Sequence, residues 1–313
     1  MAGGRDDVTD FVRHASDYLQ LRRSLGFKLE LHGRVLPRFA EYLEAAGTST
    51  LTTEHALAWA GLPPDVPAIS ASQRLGVVRG FARYLHAFDP ATEVPPLGIL
   101  TSGSRRRTPH ILTQDEVSRL LAAARDLMPA LRAANYEALL GLLAVSGMRV
   151  GEALQLWRDD VDLVEGVITV QCGKFNRSRL IPLHRTATRA LQNYAESRDQ
   201  LCPRPRTQTF FVSHSGSRLY YGQVCRTFHE LAVRTGVRSN AARPRIHDLR
   251  HSFAVHTLLD LQRSGNDIRA NVGTLSLYLG HVKPAGTYWY LTAVPELMEL
   301  AASRLERCFG DGR

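Results

Sequence analysis

At 313 residues with 44% apolar side chains, the chain is long enough for two modest domains with cores of their own, which excludes a disordered or fibrous protein. Lysine and arginine outnumber aspartate and glutamate by 39 to 30, and arginine supplies nearly all of the resulting +9 charge. The planar guanidinium fork suits phosphate oxygens, so nucleic acid is the favoured partner class.

Cys172, Cys202, Cys225 and Cys308 lie far apart without a C-x-x-C pair, which argues against a zinc knuckle or a disulfide framework. The longest apolar run, 138–145, is too short to span a bilayer, and the first residues hold no apolar signal core. The expectation is a cytoplasmic protein with no membrane partner.

Residues 1–90 carry the punctuation of four helices. Thr9 is placed to cap the first, which runs to Gly26, and a second apolar period ends at Gly47. A third stretch, 52–62, stops at Pro63 and Pro64, and a fourth, 70–88, ends at Asp89 and Pro90. Arg22, Arg23, Arg74, Arg79 and Arg83 stand on these helices, which fits a DNA-contacting face and a solvated face equally. Residues 91–110 are rich in proline, lack a regular period and contain the run Arg105, Arg106, Arg107, so they read as a basic linker.

The second domain, 111–313, opens with a capping box from Thr113 to Glu116 ahead of a helix. Further helix is predicted over 134–147 and 149–157. The stretches "GVITVQ" and "RLIPL" flank the turn "CGKFNRS" as a hairpin, and "TFFVS" (209–213) is a strand candidate. From Tyr221 onward the pattern is helix and connecting loop. The fold class is therefore mainly α, an N-terminal four-helix unit followed by an α-rich domain with a small antiparallel sheet.

Several polar residues sit where neither helix nor hairpin requires them: Arg149 after Ser146-Gly147-Met148, Lys174 in the hairpin turn, His247 and Arg250 in "IHDLRHSF", His281 after "YLG", and a tyrosine in "TYWYL". Together they form a kit for attacking a phosphodiester. Arginines hold non-bridging oxygens and neutralise charge in the transition state. A tyrosine near its reference pKa of about 10 needs cationic surroundings or a histidine base to become nucleophilic. A lysine on a turn can protonate the leaving 5′-oxygen.

Each residue also has a plain reading. Arg149 alone is a helix-start arginine paired with Glu152, and Lys174 has Arg177 and Arg179 as rivals nearby. "HDLRH" approximates a zinc-binding helix, but the aspartate is too short for the usual glutamate base and Arg250 would crowd a metal, so no metal is expected. Asp248 then orients a neighbour and His251 fills a polar niche. His281 can simply end a helix. Three adjacent rings, Tyr288, Trp289 and Tyr290, ordinarily mean core.

The strings "SGMRVGEALQL", "GK…RLIPL", "HDLRHSFA" and "LGH…Y", in this order, resemble the tyrosine recombinase (phage integrase) family, in its Xer-like and mobile-element branches. The resemblance covers the second domain nearly end to end and implies a DNA breaking-rejoining fold. It also implies a catalytic set of Arg149, Lys174, His247, Arg250 and His281, with Tyr290 as nucleophile by its spacing from "LGH". The N-terminal unit looks like that family's SAM-like core-binding domain. Arg105, Arg106, Arg107, Arg177 and Arg179 are read as DNA contacts.

No cofactor is implied. The partners implied are double-stranded DNA and a homotetramer, a dimer on each of two sites, with sister recombinases as further company. The C-terminal segment "PELMELAASRLERCF" either packs within its own chain or docks on a neighbouring protomer. The alternatives are a catalytically silent DNA-binding member of a recombinase array, and a type IB topoisomerase. The stretch between His251 and His281 is longer than expected from Xer-type members and reads as an insertion.

Overall fold

The structure is a computed structural model and describes residues 10–100, 108–171, 178–265 and 268–280. The chain divides into two compact units at Arg107/Thr108.

Among the described residues, the first unit holds four helices: α1 (Phe11–Ser24), α2 (Glu30–Ala45), α3 (Thr53–Ala60) and α4 (Ala68–His86). Asp10, rather than Thr9, caps α1 by accepting from the Arg13 backbone N–H. Both residue types can fill that position, and local sequence does not discriminate between them. Thr52 caps α3 through the His55 N–H. The apolar faces converge on Phe11, Leu36, Phe39 and Phe81, all fully buried. Burying such a side chain is worth about 1.5–3 kcal/mol, so these four anchor the unit.

Three arginines of this unit, Arg22, Arg74 and Arg79, are engaged by the unit itself. Arg79 donates from Nε to Pro95 O (2.7 Å) and from Nη2 to Pro96 O (2.9 Å). Arg22 lies 4.1 Å from the centroid of the Phe27 ring, and Arg74 lies over the Trp59 ring. Arg23 and Arg83 are exposed. The described start of the proline-rich segment packs on this unit, with Val94 and Leu100 against its core and Ser72 Oγ donating to Leu100 O.

The second unit begins with α5 (Gln114–Arg125), and its capping box has both reciprocal hydrogen bonds in place. Then follow α6 (Ala130–Ser146), α7 (Val150–Ala153), the strands β1 (Val161–Asp162), β2 (Val167–Val170) and β3 (Arg179–Pro182), α8 (Arg185–Leu201), α9 (Tyr221–Arg234), α10 (Asp248–Arg263) and α11 (Ile268–Leu279). The strands form one antiparallel sheet in the order β1-β2-β3, with Ile168 opposite Ile181 and Val170 opposite Arg179.

The expected helix over 149–157 is only four residues long, because Leu154 and Leu156 turn into the core. The expected strand at 209–213 is instead an extended segment with two isolated bridges, Trp157 to Thr209 and Val212 to Arg218. The long stretch before His281 is the end of α10, a turn and α11.

One large core joins α5, α6, α8, α9 and the sheet. A smaller one, Ala254, Val255, Leu258, Val272, Leu275 and Leu279, glues α10 to α11. The start of the unit is pinned to α10, since Leu112 N donates to Ser252 Oγ (2.7 Å) and Leu112 O meets His256 Nε2 (2.9 Å). Among the described residues, no helix is long and apolar enough to cross a membrane.

Candidate active site

The site is built around the turn between α6 and α7. Ser146 ends α6, and Gly147 takes a left-handed φ of 58°. A Cβ at Gly147 would stand 2.3 Å from the Phe253 ring, so both the backbone and the space there demand glycine. The chain then enters α7 with Arg149 at the N-cap and Glu152 three residues on. Glu152 accepts the Arg149 backbone N–H on Oε2 (2.9 Å) and Arg149 Nη1 on Oε1 (2.7 Å). Glu152 thus orients both the helix start and the arginine, as its position in the sequence predicts. The other end of the Arg149 fork, Nη2, donates to Gly280 O at 3.0 Å.

Arg250 reaches the same place from α10. It is 2% exposed and donates from Nη1 to Gly147 O (2.8 Å) and from Nη2 to Leu279 O (2.7 Å). Two guanidinium groups from different elements therefore meet successive carbonyls at the end of α11, where the helix dipole is negative. His247 occupies the N-cap position of α10, and its ring stands edge-on to that of His251, with 4.8 Å between centroids. Burial, then the neighbouring Arg250, Arg149 and Arg245, hold the His247 pKa below its ordinary value of 6.5 against the opposing pull of Asp248. The imidazole is consequently neutral near pH 7 and able to accept a proton. Asp248 is buried and accepts from Arg245 N (2.8 Å) and Nη2 (3.2 Å), so it orients a neighbour. Among the described residues there is no cluster of side chains fit to hold a metal ion.

Arg179, read from sequence as a DNA contact, lies with its fork on Glu152: Nη2 to Oε2 at 2.7 Å and Nη1 to Oε1 at 3.2 Å. The signal for this was the strand alternation. Arg179 is in phase with the fully buried Ile181 and opposite the buried Val170, so it belongs to the inner face of the sheet. Burial pushes the Glu152 pKa up, but the hydrogen bonds and charges of Arg179 and Arg149 outweigh it and hold the carboxyl below the ordinary carboxylate value. Lys174, Arg177, His281, Tyr290 and the run Arg105, Arg106, Arg107 lie outside the described residues, as do the rest of "TYWYL" and the C-terminal segment.

The described part of the site is thus a half-exposed arginine held by a half-buried carboxylate, a buried second arginine, and a neutral histidine beside them. This arrangement suits an anionic oxygen-rich ligand that gains charge during a reaction.

Comparison with known proteins points the same way. Residues 110–296 match the model of the phage integrase family. The inferred integrase/recombinase y4rB of Sinorhizobium fredii is 42% identical over 313 residues, 97% of this chain and 99% of that one. Tyrosine recombinase XerD of Mycobacterium tuberculosis is 31% identical over 305 residues, 91% of this chain and 94% of that one. A lambda integrase tetramer, solved bound to a Holliday junction, shares the fold with a TM-score of 0.62 at 18% identity, over 91% of this chain and 78% of that one. With the family model spanning every motif from the Arg149 turn to "TYWYL", and relatives similar along almost the whole chain, this protein belongs to the phage integrase family and is a site-specific tyrosine recombinase.

Proposed function

We propose that the protein cuts and rejoins double-stranded DNA for a mobile element, with Tyr290 as the nucleophile. The Tyr290 oxygen attacks the scissile phosphorus and the P–O5′ bond breaks, leaving a 3′-phosphotyrosyl link and a 5′-hydroxyl. Arg149 and Arg250 balance the charge that builds on the non-bridging oxygens, and His281 donates a further hydrogen bond there. The neutral His247 takes the phenolic proton, and Lys174 supplies one to the departing 5′-oxygen. The 5′-hydroxyl of the partner strand then attacks the phosphotyrosine and restores the phosphodiester. The bond energy stays in the protein–DNA link, so the cycle balances without ATP. The working unit is a tetramer, a dimer on each of two sites, acting in the cytoplasm, with Arg105, Arg106, Arg107 and Arg177 as candidate phosphate contacts.

The observation that carries this reading is the meeting of Arg149 and Arg250 at Gly280 O and Leu279 O, immediately before His281 in the chain. The test is covalent trapping on nicked duplexes drawn from the DNA flanking the gene, resolved on denaturing gels. A protein–DNA adduct is expected for the unaltered protein and for Tyr288→Phe, and none for Tyr290→Phe. Binding without any adduct on any duplex would make the protein a silent DNA-binding member of a recombinase array.

A further inference from the structure

We infer that Arg179 is a positioning residue for DNA cleavage: by occupying Glu152 it fixes the carboxylate that aims Arg149, and so ties the start of β3 to the Arg149 turn. This rests on the proposed role of Arg149.

The Glu152 carboxylate makes four contacts in the described structure, two from Arg149 and two from Arg179. Its side chain is 13% exposed, that of Arg179 is 15% exposed and that of Arg149 is 39% exposed. Arg149 is therefore the cation that faces outward, and Arg179 is the one beneath it. Three features separate Arg179 from an ordinary phosphate contact. Both of its terminal nitrogens are spent on Glu152, and its Nε is buried without a partner among the described residues. Its guanidinium is covered by the end of α11, where Gly280 has a φ of 67° and an added Cβ would stand 2.9 Å from Nη1. It also lies at the first residue of β3, five positions after Lys174, on the face that packs inward with Ile181.

Removing Arg179 leaves a largely desolvated carboxylate with half of its donors. Burial alone favours the neutral acid, and a protonated Glu152 offers Arg149 a weaker acceptor. Arg149 is long and partly exposed, so it then samples orientations that do not serve the phosphate. Among the described residues, the groups that face this carboxylate are Arg149 from the N-cap of α7 and Arg179 from β3, with His247 beside Arg149 and Tyr278 of α11 beside Arg179.

The experiment uses the full chain and the nicked duplexes described above, reading single-turnover cleavage at saturating protein, DNA affinity, and thermal stability. The variants are Arg179→Gln, Arg179→Lys, Glu152→Gln, the double variant Arg179→Gln/Glu152→Gln, and Arg149→Gln. Arg179→Gln is expected to slow cleavage by roughly 10- to 100-fold, the usual scale for a residue supporting a reactive group, with DNA affinity and its salt dependence unchanged. Its activity should fail at higher pH on the acid side than that of the unaltered protein, as Glu152 protonates. That displacement should vanish in the double variant, which should cleave no more slowly than the slower single one. Arg179→Lys should recover part of the rate, and it carries the test if Arg179→Gln does not fold.

The inference is overturned if Arg179→Gln, or in its place Arg179→Lys, cleaves at the unaltered rate. It is equally overturned if the loss lies in DNA affinity with a shallower salt dependence, if the single losses multiply in the double variant, or if the acid limb does not move. Arg149→Gln tests the underlying reading separately: undiminished cleavage by that variant would remove Arg149 from the reaction, whatever the Arg179 variants do.

Discussion

The two units use arginine in opposite ways. In the helical unit the arginines that are engaged are engaged singly: Arg79 on the carbonyls of Pro95 and Pro96, Arg22 on the Phe27 ring, Arg74 over Trp59, while Arg23 and Arg83 are exposed. In the second unit Arg149, Arg179 and Arg250 come from α7, β3 and α10, and they interlock through one carboxylate and the carbonyls of Gly147, Leu279 and Gly280. A positive net charge describes both cases equally. What distinguishes the second unit is that Arg149 and Arg179 share the Glu152 carboxylate while Arg149 and Arg250 hold successive carbonyls at the end of α11, so that moving one disturbs the others.

The comparison breaks first, if it breaks, at Arg250. Arg250→Met leaves Gly147 O and Leu279 O without their charged donor in a buried place, and loosens the end of α11. The expected loss is about 3–5 kcal/mol in urea unfolding, together with loss of cleavage. A loss below about 1 kcal/mol would mean that the interlocked arginines contribute no more than single surface ones. Next comes Gly147→Ala, which forces a left-handed residue and a clash with Phe253, for an expected cost of about 2–4 kcal/mol. Phe253→Leu in the same background should recover part of it if the clash is the cause.

Acid stability sharpens the comparison further. The carboxyls of Glu152 and Glu93 both titrate below the ordinary 4.5, Glu152 because its two arginines overcome burial, and Glu93 because it accepts hydrogen bonds from Thr53. A depressed carboxyl contributes its stability fully above the unfolded pKa and loses it as pH falls through the folded value. Stability is therefore expected to fall with decreasing pH below 4.5, and Glu152→Gln to flatten that fall. Glu93→Gln, at an exposed position, should flatten it less. Equal flattening, measured by urea unfolding across the acid range, would deny the second unit its special organisation.

Much of this was legible before any coordinates, for reasons that lie in particular residues. The Thr113 to Glu116 capping box, the Glu152 pairing with Arg149 and the apolar stripes of the first four helices are local relations, decided within one or two turns. Apart from the α1 cap, which falls on Asp10 and not Thr9, the differences were tertiary. "TFFVS" has strand composition, but its neighbours give it only isolated bridges, and Thr209 O accepts from Arg198 instead. The helix at α7 stops early because Leu154 and Leu156 are claimed by the core. Arg179 reads as one more basic residue beside a turn until the register with Val170 and Ile181 fixes which face it takes. The carbonyl acceptors at Leu279 and Gly280 carry no side-chain signature at all.

The smallest expected effect is the one that tests the helical unit by itself. Arg79→Gln removes two bonds to carbonyls, one at the buried Pro95 and one at the exposed Pro96, so it should cost about 1 kcal/mol of stability. Because that guanidinium is already occupied, the salt dependence of DNA binding should stay the same. Arg83→Gln alters an exposed side chain and should change stability by less than about 0.5 kcal/mol. If the exposed arginines of α4 meet phosphate, the same change lowers the slope of log affinity against log salt by about one. The two substitutions therefore separate holding the fold from holding DNA within one helix. Should Arg79→Gln change the salt slope as much as Arg83→Gln does, the carbonyl contacts of Arg79 would have to open on DNA, and its settled place in the helical unit would belong to the DNA-free protein alone.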